Sequence, residues 1–412
     1  MHPKMKYTYV GVDSHKDTHT AVFMDCFFEK LGEIRFNNRP SKFGQFLADA
    51  QKLKMDGTSL LFGLEDATAF GRSLARFLTD NGQKVKHINA LLVARERKNQ
   101  NITQKTDSVD AECAARALLA RFSELPDVQP NDKFWILRTM VVRRDFVIRN
   151  NMALKMGLHT LLTQHYPNYR KFFENIDGLT ALGFFLRYPS PETLKNTTVE
   201  GLTGFFYEVS GWRFGAAKAQ EILDSLEDTA VAYQEIRDET VRSTIRQLQF
   251  NLQEVERLEN TLAQVLARFD TTLTSMAGID VVSAAQLLSC IGDIRRFATP
   301  AKLARYAGVA PVTYASGQKE KRFANKRGDR ELNSLFFRLA VRVSMTISAA
   351  NKAINPFFYE YYHRKISEGK TKKQALKCVQ RRLVNIIWTM LTNHEEYVNP
   401  PMCHVPKKET NV

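Results

Sequence analysis

The chain has 412 residues, 44% of them hydrophobic, which is material for roughly two to four soluble domains with buried cores. No run of 18 or more apolar residues occurs, so a membrane span is not expected, and Met1-His2-Pro3-Lys4 lacks the apolar stretch of a signal peptide. The formal net charge is +15, and it is unevenly placed: residues 271–412 hold 23 Lys+Arg against 10 Asp+Glu, and the remainder 36 against 34.

The first 90 residues read as α/β. Tyr7 to Val12 is β-rich and ends at Asp13. His19 to Phe28 and Gly32 to Phe36 suit the next two strands. Phe43 to Lys54 has helical spacing, with Phe43, Phe46, Leu47 and Ala50 on one face. Ser59 to Leu64 is a short apolar run of the buried-strand type that ends at Glu65. Ser73 to Asp80 follows as a helix, Lys84 to Asn89 as a strand, and Ser108 to Phe122 as a helix. Three strands, helix, strand, helix, strand, helix is the order of an RNase H-like fold.

The middle differs. Phe134 to His165 has helical periodicity and stops at Tyr166-Pro167, and shorter helices are expected between Gly201 and Glu227. Leu248, Leu252, Val255, Leu258, Leu262 and Val265 fall at spacings of three and four, the pattern of a coiled-coil or helical-hairpin stripe. Beyond Thr271, helical segments at Thr272–Ala277 and Val281–Ile291 flank Gly278-Ile279-Asp280. That pattern resembles a helix-hairpin-helix, whose turn amides hold a phosphate at a helix N-terminus. The five cysteines, Cys26, Cys113, Cys290, Cys378 and Cys403, show no CxxC pair and suit free thiols in a reducing compartment.

Four carboxylates stand out. Asp13 and Glu65 each end an apolar strand, and Asp107 and Asp110 lie three apart at a helix start, on one face. Ala111, Ala114 and Ala115 follow on that helix and let it lie close to a sheet. Converging carboxylates repel unless a cation neutralises them, and Mg²⁺ (or Mn²⁺) is the expected cation because it takes oxygen ligands. Taken singly, each has a plainer reading: Asp13 as a strand end, Asp107 as a helix cap, Asp66 beside Glu65 as a turn charge.

Together, GVDSHKDTHT (11–20), LEDATAFG (64–71) and KTDSVDAECAARAL (105–118) resemble the DEDD transposases of insertion sequences, relatives of the Piv DNA invertase and the RuvC junction nuclease. IGDIRRFATPAKLARYAGVAP (291–311), YASGQ (314–318) and NKRGDREL (325–332) resemble the second domain of that family. Arg143-Arg144, a long helix and a closing Tyr166-Pro167 match its middle. The resemblance is weakest from Phe172 to Gln234. It implies a metal-binding tetrad of Asp13, Glu65, Asp107 and Asp110, and a nucleophilic serine in a Ser-Gly pair, here Ser316 before Gly317. Lys319, Lys321, Arg322, Lys326, Arg327 and Arg330 surround that serine in sequence and suit phosphate binding. Asn325, where Ser or Thr is more usual, and Glu331, where a neutral or basic residue is, depart from the family pattern.

The expected architecture is therefore a RuvC-like α/β domain over residues 1–127, a helical coiled-coil arm over 128–270, and a basic, mainly α domain with the helix-hairpin-helix-like element over 271–412. The resemblance implies a metal-dependent DNA transposase or recombinase that acts through a phosphoserine intermediate. Its expected partners are the DNA of element ends and target, a structured guide RNA, and further copies of the chain as a dimer or tetramer. A cytoplasmic location, on the nucleoid when DNA is bound, goes with that. The rival expectations are a water-using junction-resolving nuclease, a non-catalytic nucleic-acid-binding protein, and a sugar kinase of the actin-like fold. The last is weakened by the lack of a second Gly-rich phosphate hairpin.

Overall fold

In a computed structural model, residues 2–399 are described apart from 68, 129–132, 212, 228–231, 317, 318, 327, 346 and 348–351 and the side chains of 314–316 and 319–322. The chain divides into two compact units, Met1–Lys133 and Phe134–Val412.

The first unit is built on a five-stranded sheet. Its elements in order are β1 (Tyr7–Ser14), β2 (Thr18–Met24), β3 (Lys30–Asn37), α1 (Pro40–Lys52), β4 (Ser59–Leu64), α2 (Arg72–Asp80), β5 (Lys84–His87), α3 (Ala90–Asn99) and α4 (Asp107–Arg121). The strand order is β3-β2-β1-β4-β5, with β1 central. The first three strands form an antiparallel meander, and β4 and β5 run parallel to β1. Val10, Val12, Phe62 and Leu64 face α1 and α2 in one core. Tyr9 and Leu61 face Ala114, Ala115 and Leu118 of α4 in the other. Central strands covered on both faces read as unbroken apolar runs, which is why β1 and β4 are prominent in the sequence.

Two contacts set how closely the helices lie. A Cβ on Gly11 would stand 2.2 Å from both the Ala111 carbonyl oxygen and the Ala115 backbone nitrogen. Only a glycine on β1 under small residues on α4 permits that approach. The helix α3 has one buried apolar residue, Val93, so it lacks the periodic stripe that reveals a helix in sequence.

The second unit is mostly helical. It contains α5 (Lys133–His165), α6 (Leu179–Arg187), α7 (Val199–Ser210), α8 (Ala216–Asp224), α9 (Gln234–Leu266), α10 (Val281–Ile291), α11 (Pro300–Tyr306), the hairpin β6 (Val312–Ser316) and β7 (Lys319–Phe323), then α12 (Arg330–Met345), α13 (Pro356–Ser367) and α14 (Lys372–Asn393). The two 33-residue helices α5 and α9 run antiparallel. At one end Leu158 and Leu162 share a core with Val241, Ile245 and Leu248. At the other Leu137 and Val141 share a second core with Leu262 and Leu266. Between them the Arg144 guanidinium donates to Glu259 Oε1 at 2.6 and 2.8 Å. Within the stripe read from the sequence, only Leu248 and Leu262 are buried; Leu252, Val255, Leu258 and Val265 are half-buried.

The helix-hairpin-helix expected across Thr272–Ile291 is not formed. Its first arm is a three-residue 3-10 turn, Leu273–Ser275. Gly278 takes φ +103° against the Val343 side chain. The N-terminus of α10 is filled by the chain itself: Asp280 accepts from the Ser283 amide at 2.7 Å and from Arg342 at 2.6 Å. A carboxylate there takes the place an anion would use. Cys113 and Cys290 are buried free thiols that burial pushes up to about 11 and about 12; Cys26 and Cys378 are half-buried and free, and Cys403 lies outside the described residues. Among the described residues no helix is long and apolar enough to cross a membrane.

Candidate metal centre and serine hairpin

Asp13 is the last residue but one of the central strand, and Glu65 directly follows β4. Because β1 and β4 are parallel, with Val12 opposite Leu64, the two carboxylates emerge side by side at one sheet edge. The Glu65 amide donates to the Val12 carbonyl at 3.3 Å and extends the register by one residue. The helix α4 brings the other two. Thr106, not Asp107, is its cap and accepts from the Val109 amide at 3.3 Å, so Asp107 and Asp110 both occupy the first turn. The positive end of the helix dipole favours carboxylates there. Asp66 closes the loop after Glu65 by accepting from the amides of Ala69 and Phe70, both at 2.9 Å. Asn38 ties that loop to the β1–β2 turn, donating from Nδ2 to the carbonyls of Phe70 at 3.0 Å and of His15 at 3.2 Å.

Asp13 and Asp110 are buried, Glu65 and Asp107 half-buried. Burial raises the Asp13 carboxyl above its ordinary range, Asp110 and Asp107 push it the same way, and His15 opposes them. Burial also raises Glu65, with Asp13 and Asp110 adding to it against Lys105 and Arg97. The carboxylates thus pay a desolvation and repulsion cost that a cation would remove. Three residues that were not singled out in the sequence sit among them. His15 Nε2 lies 2.9 Å from Asp13 Oδ2 and 3.3 Å from Asp107 Oδ1. Arg97, from α3, makes a short hydrogen bond from Nη1 to Asp110 Oδ1, and Arg35 Nη2 lies 3.7 Å from Asp107 Oδ2. His15 had a signal: it stands two residues from Asp13, just past the strand end, within reach of that carboxylate. Arg97 had none, because its helix shows no periodicity.

One ligand atom each from Asp13, His15 and Asp107 lies within 4.8 Å of the others. Oxygen-rich donors with one imidazole, including the Asp13 carboxyl that burial makes costly to ionise, fit a divalent cation.

In the second unit Ser316 ends β6. The hairpin register pairs it with Lys319, Ala315 with Glu320, Tyr314 with Lys321 and Thr313 with Arg322. The side chains of Ser316, Lys319, Lys321 and Arg322, and all of Arg327, lie outside the described residues. Lys326 is exposed in the turn that follows, and Arg330 is exposed at the start of α12. The chain beside them is held tightly. Gly308 has φ +65°, and a Cβ on Gly328 would stand 2.3 Å from Gly308 Cα. Both departures from the family pattern have partners here: Asn325 Nδ2 donates to the Arg305 carbonyl at 2.9 Å, and Glu331 pairs with Arg138 at 3.2 Å.

Residues 10–167 match a family model of IS110-type DEDD proteins described as "Transposase", and residues 270–362 match one described as "Transposase IS116/IS110/IS902 family". The chain is 24% identical to an uncharacterized 44.8 kDa protein of insertion element IS116 from Streptomyces clavuligerus, covering 95% of this chain and 96% of that one. It is 26% identical to the 43.6 kDa protein of insertion element IS110 from Streptomyces coelicolor, over 94% and 95% of the two. It is 23% identical to the pilin gene-inverting protein of Moraxella lacunata, over 95% and 98%. With both conserved-family models matched in order and near end-to-end likeness to these relatives, the chain belongs to the IS110 family of transposases.

Proposed function

We propose that this chain is a DNA recombinase that cuts and rejoins the DNA of an insertion sequence through a phosphoserine intermediate at Ser316, with a divalent cation held by Asp13, Glu65, Asp107 and Asp110. The observation that carries the reading is the convergence of Asp13 and Asp107 at one end of the sheet, with Asp110 and Glu65 near enough to act on them and the Asp13 and Glu65 carboxyls raised. The strand order β3-β2-β1-β4-β5, an antiparallel meander extended by two parallel strands, supports an RNase H-like first unit. When bound, the cation supplies Lewis-acid stabilisation of charge on phosphate oxygens; the carboxylates by themselves suit either Mg²⁺ or Mn²⁺. Asp13 and Asp107 hold their oxygens toward a shared point, and Arg97 fixes the rotamer of Asp110. The name of the Moraxella relatives, pilin gene-inverting protein, supports rearrangement of DNA as the outcome.

At Ser316 the hydroxyl oxygen forms a bond to phosphorus and loses its proton. The bond from phosphorus to a deoxyribose oxygen breaks, and that oxygen leaves as a hydroxyl with a proton. The phosphodiester count is unchanged, so rejoining needs no external energy source. The basic excess of residues 271–412 supports contacts to DNA and to a structured guide RNA, by neutralising phosphates. A homo-oligomer completes the reading.

The test is a denaturing gel. The wild-type chain with element-end DNA should give a protein–DNA adduct that survives denaturation, and Ser316→Ala should lose both adduct and recombination while still binding DNA. Free ends with no adduct from the wild-type chain would replace this reading with a water-using nuclease.

A further inference from the structure

We propose that His15 is a metal ligand of the sheet-edge site, making it a mixed nitrogen–oxygen site that selects Mn²⁺ over Mg²⁺. The inference rests on the metal dependence proposed above, but it adds a residue outside the four carboxylates and a consequence for metal choice.

Three observations carry it. First, the imidazole is aimed. His15 Nε2 faces Asp13 Oδ2 at 2.9 Å and Asp107 Oδ1 at 3.3 Å. A ring nitrogen carries at most one proton, and one N–H shared between two carboxylate oxygens bonds each of them less well than a proton of its own. A cation at that point satisfies all three groups. Second, the backbone that carries the ring is anchored. The His15 amide donates to the Thr18 carbonyl at 3.1 Å, and its carbonyl accepts from Asn38 Nδ2 at 3.2 Å. The turn that carries the imidazole is thereby fixed to the loop after Glu65, because the same Asn38 amide reaches the Phe70 carbonyl at 3.0 Å. Third, the four carboxylates are not equivalent. Asp110 is engaged by Arg97, and Glu65 is influenced by Asp13 and Asp110, whereas the group whose ligand atoms converge is Asp13, His15 and Asp107. A first ion would therefore be held on the His15 side, by Asp13, His15 and Asp107.

Ligand chemistry decides the metal. Mg²⁺ takes oxygen ligands and sheds water reluctantly, whereas Mn²⁺ shares its preference for carboxylates but, as a first-row transition ion, also takes an imidazole nitrogen. An imidazole whose loss leaves both carboxylates in place changes Mn²⁺ binding more than Mg²⁺ binding. A histidine that only hydrogen-bonds the carboxylates gives no such split.

The experiment uses the full chain without nucleic acid, so it does not depend on recombination or on Ser316. Mn²⁺ is bound to the wild-type chain and to His15→Ala, and pulsed electron paramagnetic resonance reads nitrogen coupling to the ion. Titration calorimetry gives Mn²⁺ and Mg²⁺ affinities. The wild-type chain should show coupling from one directly bound imidazole nitrogen. His15→Ala should lose it, with Mn²⁺ affinity falling by about tenfold or more, the range for disrupting a metal site, and Mg²⁺ affinity changing far less. His15 is half-exposed by its side chain, so the variant should keep the wild-type circular dichroism; His15→Gln serves as a second variant with a neutral oxygen donor and should also lack the coupling. Bound Mn²⁺ without nitrogen coupling in the wild-type chain, coupling that persists in His15→Ala, or equal losses for both metals would overturn the assignment. If cleavage proves metal-independent while the nitrogen coupling is present, the metal dependence proposed above fails and the His15 site stands.

Discussion

The sheet edge of the first unit and the basic surface of the second use charge in opposite ways. At the sheet edge four carboxylates are gathered, and Asp13 and Asp110 are buried at it; Asp13 and Glu65 are raised by burial and by their neighbours. In residues 271–412 the excess cations are spread along the chain, and Lys326, Arg330, Lys372 and Lys373 are all exposed. A concentrated, partly desolvated cluster is intolerant, since each group sets the others' energies. A dispersed, solvated set is tolerant, since each cation adds a similar, screened increment. The comparison teaches that single substitutions should be severe at the edge and graded on the basic surface.

The harshest blow to that contrast comes from below the edge. Gly11→Ala places a methyl 2.2 Å from two backbone atoms of α4, and backbone cannot step aside as a side-chain tip can. We expect a loss of about 1–3 kcal/mol or more in urea unfolding, the cost of overpacking, together with loss of cleavage as Asp107 and Asp110 shift from Asp13. A fully active, fully stable Gly11→Ala would mean the close packing does not position the site.

Next in size is Asp110→Asn. It should bring metal-dependent strand cleavage to background on a gel, while nucleic-acid binding measured by filter retention stays close to wild type. Retained cleavage would remove Asp110 from the chemistry and with it the idea that the edge acts as a unit.

A gentler probe is stability against pH without metal. Asp13 and Glu65 are raised in the folded chain, so the native state holds their protons more tightly than the unfolded state does. Their contribution therefore falls as pH rises from the ordinary carboxylate range, about 4, through the raised values, and the penalty is fully present above them. Asp13→Asn should raise the metal-free melting temperature at pH 7, with the difference from wild type shrinking toward pH 4. The buried His19, held down to about 4, acts on both proteins alike and cancels in the difference. Added divalent cation should stabilise the wild-type chain and not the variant, by mass action. A variant that melts lower than wild type at pH 7 would contradict the raised carboxyl.

The smallest effects belong to the basic surface. Lys326→Ala and Arg330→Ala should each lower DNA affinity modestly and reduce the slope of log affinity against log salt by about 0.9, with the double variant near additive. A single substitution that abolishes binding would show that this surface, too, is a concentrated site.

Much of this was legible in the sequence, and the limits have physical reasons. The strands that carry Asp13 and lead into Glu65 were readable because they lie inside the sheet and are buried on both faces. The small residues Ala111, Ala114 and Ala115 announced a helix lying on a sheet, and the mate that makes this possible, Gly11, sat within the same motif as Asp13. Arg97 was invisible because α3 buries only Val93, so its position depends on packing that no local pattern encodes. His15 was visible but ambiguous, since a histidine beside a strand end declares its partner only once the helix start at Asp107 is placed. The helix-hairpin-helix expectation failed for a different reason: the glycine was real, but it serves a positive φ against Val343 rather than a turn between two helices.

The antiparallel pairing of α5 and α9 also governs the order in which the second unit assembles. Leu137 and Val141 must find Leu262 and Leu266 across more than a hundred intervening residues, whereas the core at the other end recruits α6, α7 and α8 from the chain that directly joins the two helices. Closing the long loop from an open chain costs entropy before any contact repays it. Once the joining segment has folded, each further turn of the pair forms beside one already made, and the two helices zip from Leu162 and Val241 toward Leu137 and Leu266. Folding speed is then set at the joined end, and unfolding speed at the open end: truncating Val241 should slow folding, and truncating Leu262 should mainly hasten unfolding.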